Sequence, residues 1–300
     1  MVGRRVVILG SGDIGLIMAR RLTLEGATVL CVAEARPVPG GLERNVSQCL
    51  YDFGIPLYLS TTVTQIFGPK RVEGVELCQV DARGQPRPET ARRVDCDTLL
   101  LSVGLIPENE VGSKAGMAVD PATNGAVTDD FLQTNLPGVF ACGNSRKVMD
   151  LADFVTRQGD TAGGNAARFV LGLPLEKMPP EQANAMAKGL PKPGIITCIR
   201  CPKGCRVMLG ADGKTEGNAC PKGEEYALQE AKAPKRVLTT TLKNAAGKLV
   251  PVKTSAGVPK ETLLWCMDVV RGLPPIPEGL HCGKVAVSDP FGLGVDLVVT

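Results

Sequence analysis

The hexapeptide Gly10-Ser11-Gly12-Asp13-Ile14-Gly15 constrains this chain more than any other feature, because of what stands on either side of it. Arg5-Val6-Val7-Ile8-Leu9 reads as a buried strand, and Leu16 to Leu24 reads as an amphipathic helix. Three glycines between a strand and a helix have separate jobs. The first permits a tight turn, the second lets a pyrophosphate approach bare backbone, and the third lets the helix pack closely on the strand. An anion held there sits on the helix N-terminus, among unpaired N–H groups and at the positive end of the macrodipole. A second strand, Thr28-Val29-Leu30-Cys31-Val32, ends at Ala33-Glu34, which places Glu34 nineteen positions past Gly15. A carboxylate there accepts hydrogen bonds from the adenosine ribose and repels a 2′-phosphate. Gly10, Ser11, Gly12, Asp13, Ile14, Gly15 and Glu34 are therefore expected to bind a dinucleotide, NAD(H) in preference to NADP(H). Arg36, two residues later, is the side chain able to accommodate a phosphate. The plain alternative, a glycine-rich turn in some other α/β protein, does not account for the second strand and its acid.

Three hundred residues exceed what one core usually fills, so more than one domain is expected. A hydrophobic content of 44% suits a globular chain, and an aromatic content of 4% leaves no stacking platform for nucleic acid. The formal net charge is only +3. No apolar run is long enough to span a membrane and no signal-peptide pattern opens the chain, so the expected location is the cytoplasm. Eleven cysteines, without an export signal, do not suggest a disulfide framework. Seven of them, Cys31, Cys49, Cys78, Cys96, Cys142, Cys266 and Cys282, are scattered and mostly lie in apolar runs, as small core residues do. The nucleotide-binding part contains no Cys-x-x-Cys, which argues against dithiol chemistry there.

From residue 5 to about 104 strands alternate with helices, ending in Thr98-Leu99-Leu100-Leu101-Ser102-Val103, the signature of a parallel sheet with covering helices. A hairpin excursion is expected around residues 63–79, with a turn at Asp81-Ala82-Arg83-Gly84. A helix from about Leu151 to Leu171 follows. Prolines and glycines then accumulate from Pro174 to Gly194 and read as a linker. After it come short strands and turns, one helix near Lys260 to Arg271, and a closing hairpin of Lys284 to Ser288 with Val295 to Val299. The expected fold class is α/β with a Rossmann-like nucleotide-binding domain, followed by a small α+β domain.

The order of the glycine motif, Glu34, the segment Cys96 to Asn109 and Thr134-Asn135-Leu136-Pro137-Gly138-Val139-Phe140-Ala141-Cys142-Gly143-Asn144 resembles the FAD-dependent pyridine nucleotide oxidoreductases over residues 1 to about 172. The resemblance implies a nicotinamide domain inserted into a flavin domain, with Gly104, Gly143 and Asn144 beside the FAD. Asn144 stands where that family usually has Asp. It also implies an earlier glycine-rich unit gripping the FAD adenosine, and only nine residues precede Gly10. Either a partner chain supplies that half or the chain is a truncated product. The expected divisions are residues 1–110 for NAD(H), 111–173 for the returning part of the FAD domain, 174–194 as linker and 195–300 as the small domain.

Cys198, Cys201, Cys205 and Cys220, spaced by two, three and fourteen residues, form the second strong motif. Three thiols within eight residues can face one point and a fourth can close a tetrahedron. A three-plus-one grouping with Cys220-Pro221 suits a [4Fe-4S] cluster, and zinc is the alternative. The stretch with Cys220-Pro221-Lys222-Gly223 resembles the cluster-binding segment of molybdopterin oxidoreductases. Residues 195–300 resemble a small four-cysteine family of unknown function that accompanies flavin and glycerol-3-phosphate dehydrogenase-like proteins. Arg200, Lys203, Arg206 and Lys222 would offset an anionic cluster. The ten Lys/Arg against five Asp/Glu from Lys188 to Arg236 read first as a solvated basic face. His281 is the only histidine and reads as structural, and hydride transfer requires no general base, so no catalytic residue is assigned.

Two functions follow. In the first, the chain is an NAD(H)-dependent flavin oxidoreductase component passing electrons between NADH, FAD and an iron-sulfur cluster. In the second, it is a non-catalytic, zinc-stabilised assembly or electron-transfer subunit. The expected partner is the chain carrying the other FAD half or a glycerol-3-phosphate dehydrogenase-like flavoprotein.

Overall fold

Apolar, β-branched runs bury best as parallel strands covered on both faces, and the first hundred residues use them so. The computed structural model describes residues 3–149, 151–179, 189–210 and 212–300. In it β1 (Arg5–Leu9) leads through α1 (Asp13–Leu24) to β2 (Thr28–Ala33), and α2 (Glu43–Cys49) precedes β3 (Leu57–Tyr58). Next, β4 (Thr61–Phe67), β5 (Gly74–Gln79) and β6 (Arg92–Val94) make an antiparallel sheet, before β7 (Thr98–Leu101) returns to pair with β1. The principal sheet is parallel, in the order β3-β2-β1-β7.

Residues Val6, Val7 and Ile8 of β1 are fully buried, and their alternation divides two cores. Val6 and Ile8 pack with Leu16, Ala19 and Leu50, whereas Val7 packs with Cys31, Val75 and Leu77. Helices thus cover one face and the antiparallel sheet the other. From β1 the chain first builds outward through β2 and β3, then crosses to set β7 on the opposite side of β1. In open parallel sheets that reversal opens a crevice at the carboxyl ends of the strands, here those of β1 and β7.

Residues 104–184 form a compact unit of their own. Its described part has a short α3 (Glu110–Lys114), the long α4 (Ala152–Val170) and a small core of Met117, Ala126 and Ala141. Asn165, buried on α4, donates to the carbonyls of Phe131 and Glu176 and so ties two loops to the helix. The expected linker at 174–194 falls partly outside the described residues.

The last third begins with β8 (Ile196–Thr197), β9 (Arg206–Leu209), β10 (Thr215–Glu216) and α5 (Pro221–Lys232). It continues with β11 (Lys235–Arg236), β12 (Thr239–Lys243), β13 (Leu249–Thr254), β14 (Val258–Pro259), α6 (Leu263–Gly272), β15 (Val285–Val287) and β16 (Leu297–Val299). β10-β9-β8 make one antiparallel sheet and β12-β13-β16-β15 another. The closing hairpin and the helix near residue 260 are where the sequence expects them. Helix α5 departs from the expectation of a single helix here. Cys220 occupies its N-cap, Pro221 its first turn, and Glu224 to Lys232 supply good helix formers. Among the described residues no helix is long and apolar enough to cross a membrane.

Residues 1–103 and 185–300 cluster as one compact unit, for reasons visible at the contact. Leu24 and Phe53 enter the core formed by Leu263, Cys266, Met267 and Val270. Arg236, 5% exposed, lies between Asp52 at 2.7 Å and Glu230 at 2.7 Å, with Lys260 3.3 Å from Asp52. Burial opposes ionisation of Glu230, but the hydrogen bonds and charge of Arg236 outweigh it and leave its pKa below the ordinary value. Because that pKa is depressed by folding, its contribution to stability is present above the unfolded pKa, near 4.3, and is lost as pH falls through the folded value. Arg236→Met should therefore cost about 3 kcal/mol at pH 7. Urea unfolding followed across pH should show the gap between variant and wild type closing below about pH 4.

Candidate functional site

The carboxyl end of β1 turns at Gly10, whose φ is +98°. A Cβ there would lie 2.1 Å from the carbonyl oxygen of Ser102, just beyond β7. At Gly15 a Cβ would fall 2.6 Å from the Gly10 carbonyl oxygen and 2.8 Å from Ser102. Main chain therefore fills the space a side chain would need at both positions, as the sequence reading expects of the first and third glycines. Gly12 differs. A Cβ on it would meet no protein atom closer than 3.8 Å, so the room beside it is left open. Gly12 caps α1 without a side-chain hydrogen bond, and the first N–H groups of the helix have no intrahelical acceptors. The turn thus offers backbone donors, a positive helix end and space, which is what a pyrophosphate needs.

Glu34 lies at the end of β2, 7% exposed. Its carboxylate accepts from Ser11 N at 3.0 Å, the Ser11 hydroxyl, Arg36 N at 3.0 Å and Arg36 Nε at 3.2 Å. Burial works against its ionisation, yet the bonds from Ser11 and Arg36 prevail and hold its pKa below the usual carboxylate range. A carboxylate has about four lone-pair sites, so a ribose hydroxyl reaches Glu34 only by displacing a donor. The Arg36 side chain, 63% exposed, is the one free to swing away.

A loop closes over the turn. Gly40 N donates to the Ser11 hydroxyl at 2.9 Å, Gly41 N to the Ser11 carbonyl at 2.8 Å, and Leu42 N to Asp13 Oδ1 at 2.7 Å. Asn45 Nδ2 also reaches Asp13, at 2.8 Å. A Cβ at Gly41 would lie 3.0 Å from the Ser11 carbonyl oxygen and 2.6 Å from Asp13 Oδ1. Ile14, 69% exposed, makes no part of this clamp. Residues 40–45 escape the sequence reading, although the Gly40-Gly41 pair is a signal for close backbone approach.

Gly104, Gly143 and Asn144 belong to the separate unit of residues 104–184. Gly104 and Gly143 have φ of +104° and +60°. Gly143 N donates to buried Gln158 at 2.9 Å, and the Asn144 side-chain oxygen accepts from Met149 N at 3.1 Å. This segment is therefore braced against α4.

The four clustered cysteines flank β8 and β9. Cys198 N donates to the Cys205 carbonyl at 2.8 Å, closing the hairpin. Cys198 is buried, Cys205 half-buried, and Cys201 and Cys220 are exposed. Burial chiefly raises the Cys198 pKa, and the neighbouring thiols of Cys205, Cys201 and Cys220 each push it further up. The other three thiols thus each lie within electrostatic reach of Cys198, and a set of four cysteine donors suits a soft or borderline cation. Among the described residues no three His, Cys, Asp or Glu side chains are drawn together as a ready metal-binding group. Of the cations expected beside the thiols, Arg206 instead bonds Glu43, Nε to Oε2 at 2.8 Å. Five of the scattered cysteines are buried, Cys142 is half-buried and Cys282 exposed. Burial pushes Cys31 to about 11 and Cys49 to about 12, so these thiols are inert at neutral pH.

A cavity of about 490 Å³ lies between the ends of α1 and α6, lined by Thr23, Phe53, Leu264 and Arg271 among others. It is at the opposite end of α1 from the glycine turn.

The family described as pyridine nucleotide-disulphide oxidoreductase matches residues 1–159. The chain belongs to that family. A second family, described as "Protein of unknown function (DUF1667)", matches residues 221–300, a stretch that begins immediately after Cys220. An NADH oxidase of Methanocaldococcus jannaschii is 30% identical over 179 residues, covering 55% of this chain and 37% of its own length. A nitric oxide reductase FlRd-NAD(+) reductase of Aeromonas salmonicida is 29% identical over 233 residues, covering 75% and 50%. The chain thus spans half or less of these relatives. Thioredoxin reductase of Lactococcus lactis, in its FR conformation, matches with a TM-score of 0.50 and 23% identity over 58% of this chain and 55% of that one. This last likeness shows the fold alone, an α/β architecture on a parallel Rossmann-like sheet.

Urea unfolding should separate Gly10 from Gly12. Gly10→Ala, strained in φ and pressed on main chain, should lose at least ~2 kcal/mol. Gly12→Ala should stay within about 1 kcal/mol of wild type.

Proposed function

We propose that the glycine turn binds NAD(H) and that the chain is the nicotinamide-binding component of a flavin oxidoreductase. The observation that carries this reading is the contrast among the glycines. Protein fills the space at Gly10 and Gly15 but leaves it open at Gly12, beside a helix N-terminus without a side-chain capping bond. Backbone donors at the start of α1 hold the diphosphate, and Glu34, once Arg36 moves aside, takes the adenosine ribose. A carboxylate in that place favours NADH over NADPH. Membership of a family that uses pyridine nucleotides supports the same reading, as do the names of the NADH oxidase and the FlRd-NAD(+) reductase that this chain resembles. When bound, NADH supplies a hydride and a flavin accepts it, so the chain's own task is to bind, orient and exclude water. The braced segment at Gly143 and Asn144 would contact FAD, with the remainder of that site supplied outside these residues or by a partner, a glycerol-3-phosphate dehydrogenase-like flavoprotein being one candidate.

Cys198, Cys201, Cys205 and Cys220 would hold a [4Fe-4S] cluster that continues the electron path. A second reading has one observation in its favour. The buried core beneath the cysteine hairpin consists of Cys198, Val207, Tyr226 and Ala227, small enough to require a staple, and zinc supplies one to small folds. In that case the chain is a zinc-stabilised assembly or electron-transfer subunit.

Fluorescence titration with NADH and NADPH, together with metal and flavin analysis of the purified chain, tests these points. NADH should bind more tightly than NADPH, and Gly12→Ala should weaken NADH at least tenfold, or ~1.4 kcal/mol, without unfolding the protein. A folded chain that binds neither dinucleotide would end the redox reading. Zinc in place of iron would select the second.

A further inference from the structure

Glu43 joins two regions that the sequence keeps far apart. It is the first residue of α2 and is fully buried. Its neighbour Leu42 and, two residues on, Asn45 hold Asp13 beside the glycine turn, at 2.7 and 2.8 Å. Its own carboxylate is held by the cysteine hairpin. Oε1 accepts from the Thr197 hydroxyl at 2.8 Å, and Oε2 from Arg206 Nε at 2.8 Å. Thr197 immediately precedes Cys198, and Arg206 immediately follows Cys205. These two cysteines are themselves joined main chain to main chain at 2.8 Å. A run of hydrogen bonds and adjoining residues therefore leads from the main chain of Cys198 and Cys205, through Thr197, Arg206 and Glu43, to the loop that lies over Ser11 and Asp13.

We propose that Glu43 is a positioning residue through which metal at the four cysteines sets the loop of residues 40–42, and with it the affinity of the glycine turn for NADH. The inference rests on the reading of that turn as a dinucleotide site. The physical basis is pre-organisation. A cation drawing the four thiols together fixes the β8–β9 hairpin, the hairpin fixes both oxygens of a carboxylate that has no water to turn to, and the carboxylate fixes the start of α2. Ordering the loop beforehand removes an entropic cost that the dinucleotide would otherwise meet on binding. Removal of the metal leaves Glu43 with the same partners on a looser support. Coupling of this kind is reciprocal, so NADH must tighten metal binding by the factor by which metal tightens NADH.

The test uses the full chain, stripped with a chelator or reloaded with Zn²⁺ alone, and measures the NADH dissociation constant in both forms. The zinc-loaded wild type should bind NADH roughly fivefold or more tightly than the stripped chain, and zinc affinity should rise by the same factor in the presence of NADH. In Glu43→Gln the two forms should bind NADH alike, while one zinc per chain is still taken up. Thr197→Val, which removes one hydroxyl and leaves the Arg206 pair, should retain part of the difference and serves if Glu43→Gln does not fold. Equal NADH affinity in the two wild-type forms, an undiminished difference in both variants, or no zinc uptake would overturn the inference and leave the dinucleotide reading standing. A folded wild type that binds no NADH in either form would overturn both.

Discussion

Everything around the glycine turn depends on main chain approaching main chain where β1 turns into α1. The Gly10 turn and the carbonyl of Ser102 meet with no room for a single methyl group between them. That contact sets the distance between β1 and β7 at their carboxyl ends and fixes the angle at which α1 leaves the sheet. It also determines where the first N–H groups of α1 point, because a helix cannot redirect its own unsatisfied donors. The binding competence ascribed to the turn is thus a property of packing, supplied before any ligand arrives.

The parts of the structure legible in the sequence are those with local causes. The β1–α1–β2 unit, the tight packing at Gly10 and Gly15 and the closing hairpin follow from periodicity and turn chemistry within about thirty residues, and the parallel sheet from the strand-helix alternation of the first hundred. Helix α5 also has local causes, in Pro221 and the helix formers after it, although the sequence reading expects only short strands and turns there. What could not be read is non-local. Glu43 looks like an ordinary first-turn acid, and nothing near it announces partners 154 and 163 positions away. The occupation of Glu34 by Ser11 and Arg36 is of the same type. Its position in the motif was clear, whereas the competition for its lone pairs needs the folded loop.

Charge burial separates the two halves of the compact unit formed by residues 1–103 and 185–300 by kind. In the first half, residues 1–103, the cores around β1 are apolar and Glu34 stands just past the end of β2. Where the last third packs on that half, Asp52, Glu230 and Arg236 are taken out of water together, and the cysteine hairpin adds Glu43 with Arg206. Paired charges of this sort are weak evidence for stability, since well-packed apolar groups often do as well. They do specify one arrangement over others. A shifted contact would strand an ion without a counter-charge, which an apolar seam would not punish.

The central strand carries a consequence of its own. Its two faces look onto unlike materials, helices on the side of Val6 and Ile8 and a second sheet on the side of Val7. Side chains alternate strictly along a strand, so inserting one residue between Arg5 and Leu9 would exchange the two sets. Val7 would then confront Leu16 and Leu50, and Ile8 the narrow space beside Cys31. Evolution can lengthen this protein at its loops, but β1 has a fixed phase.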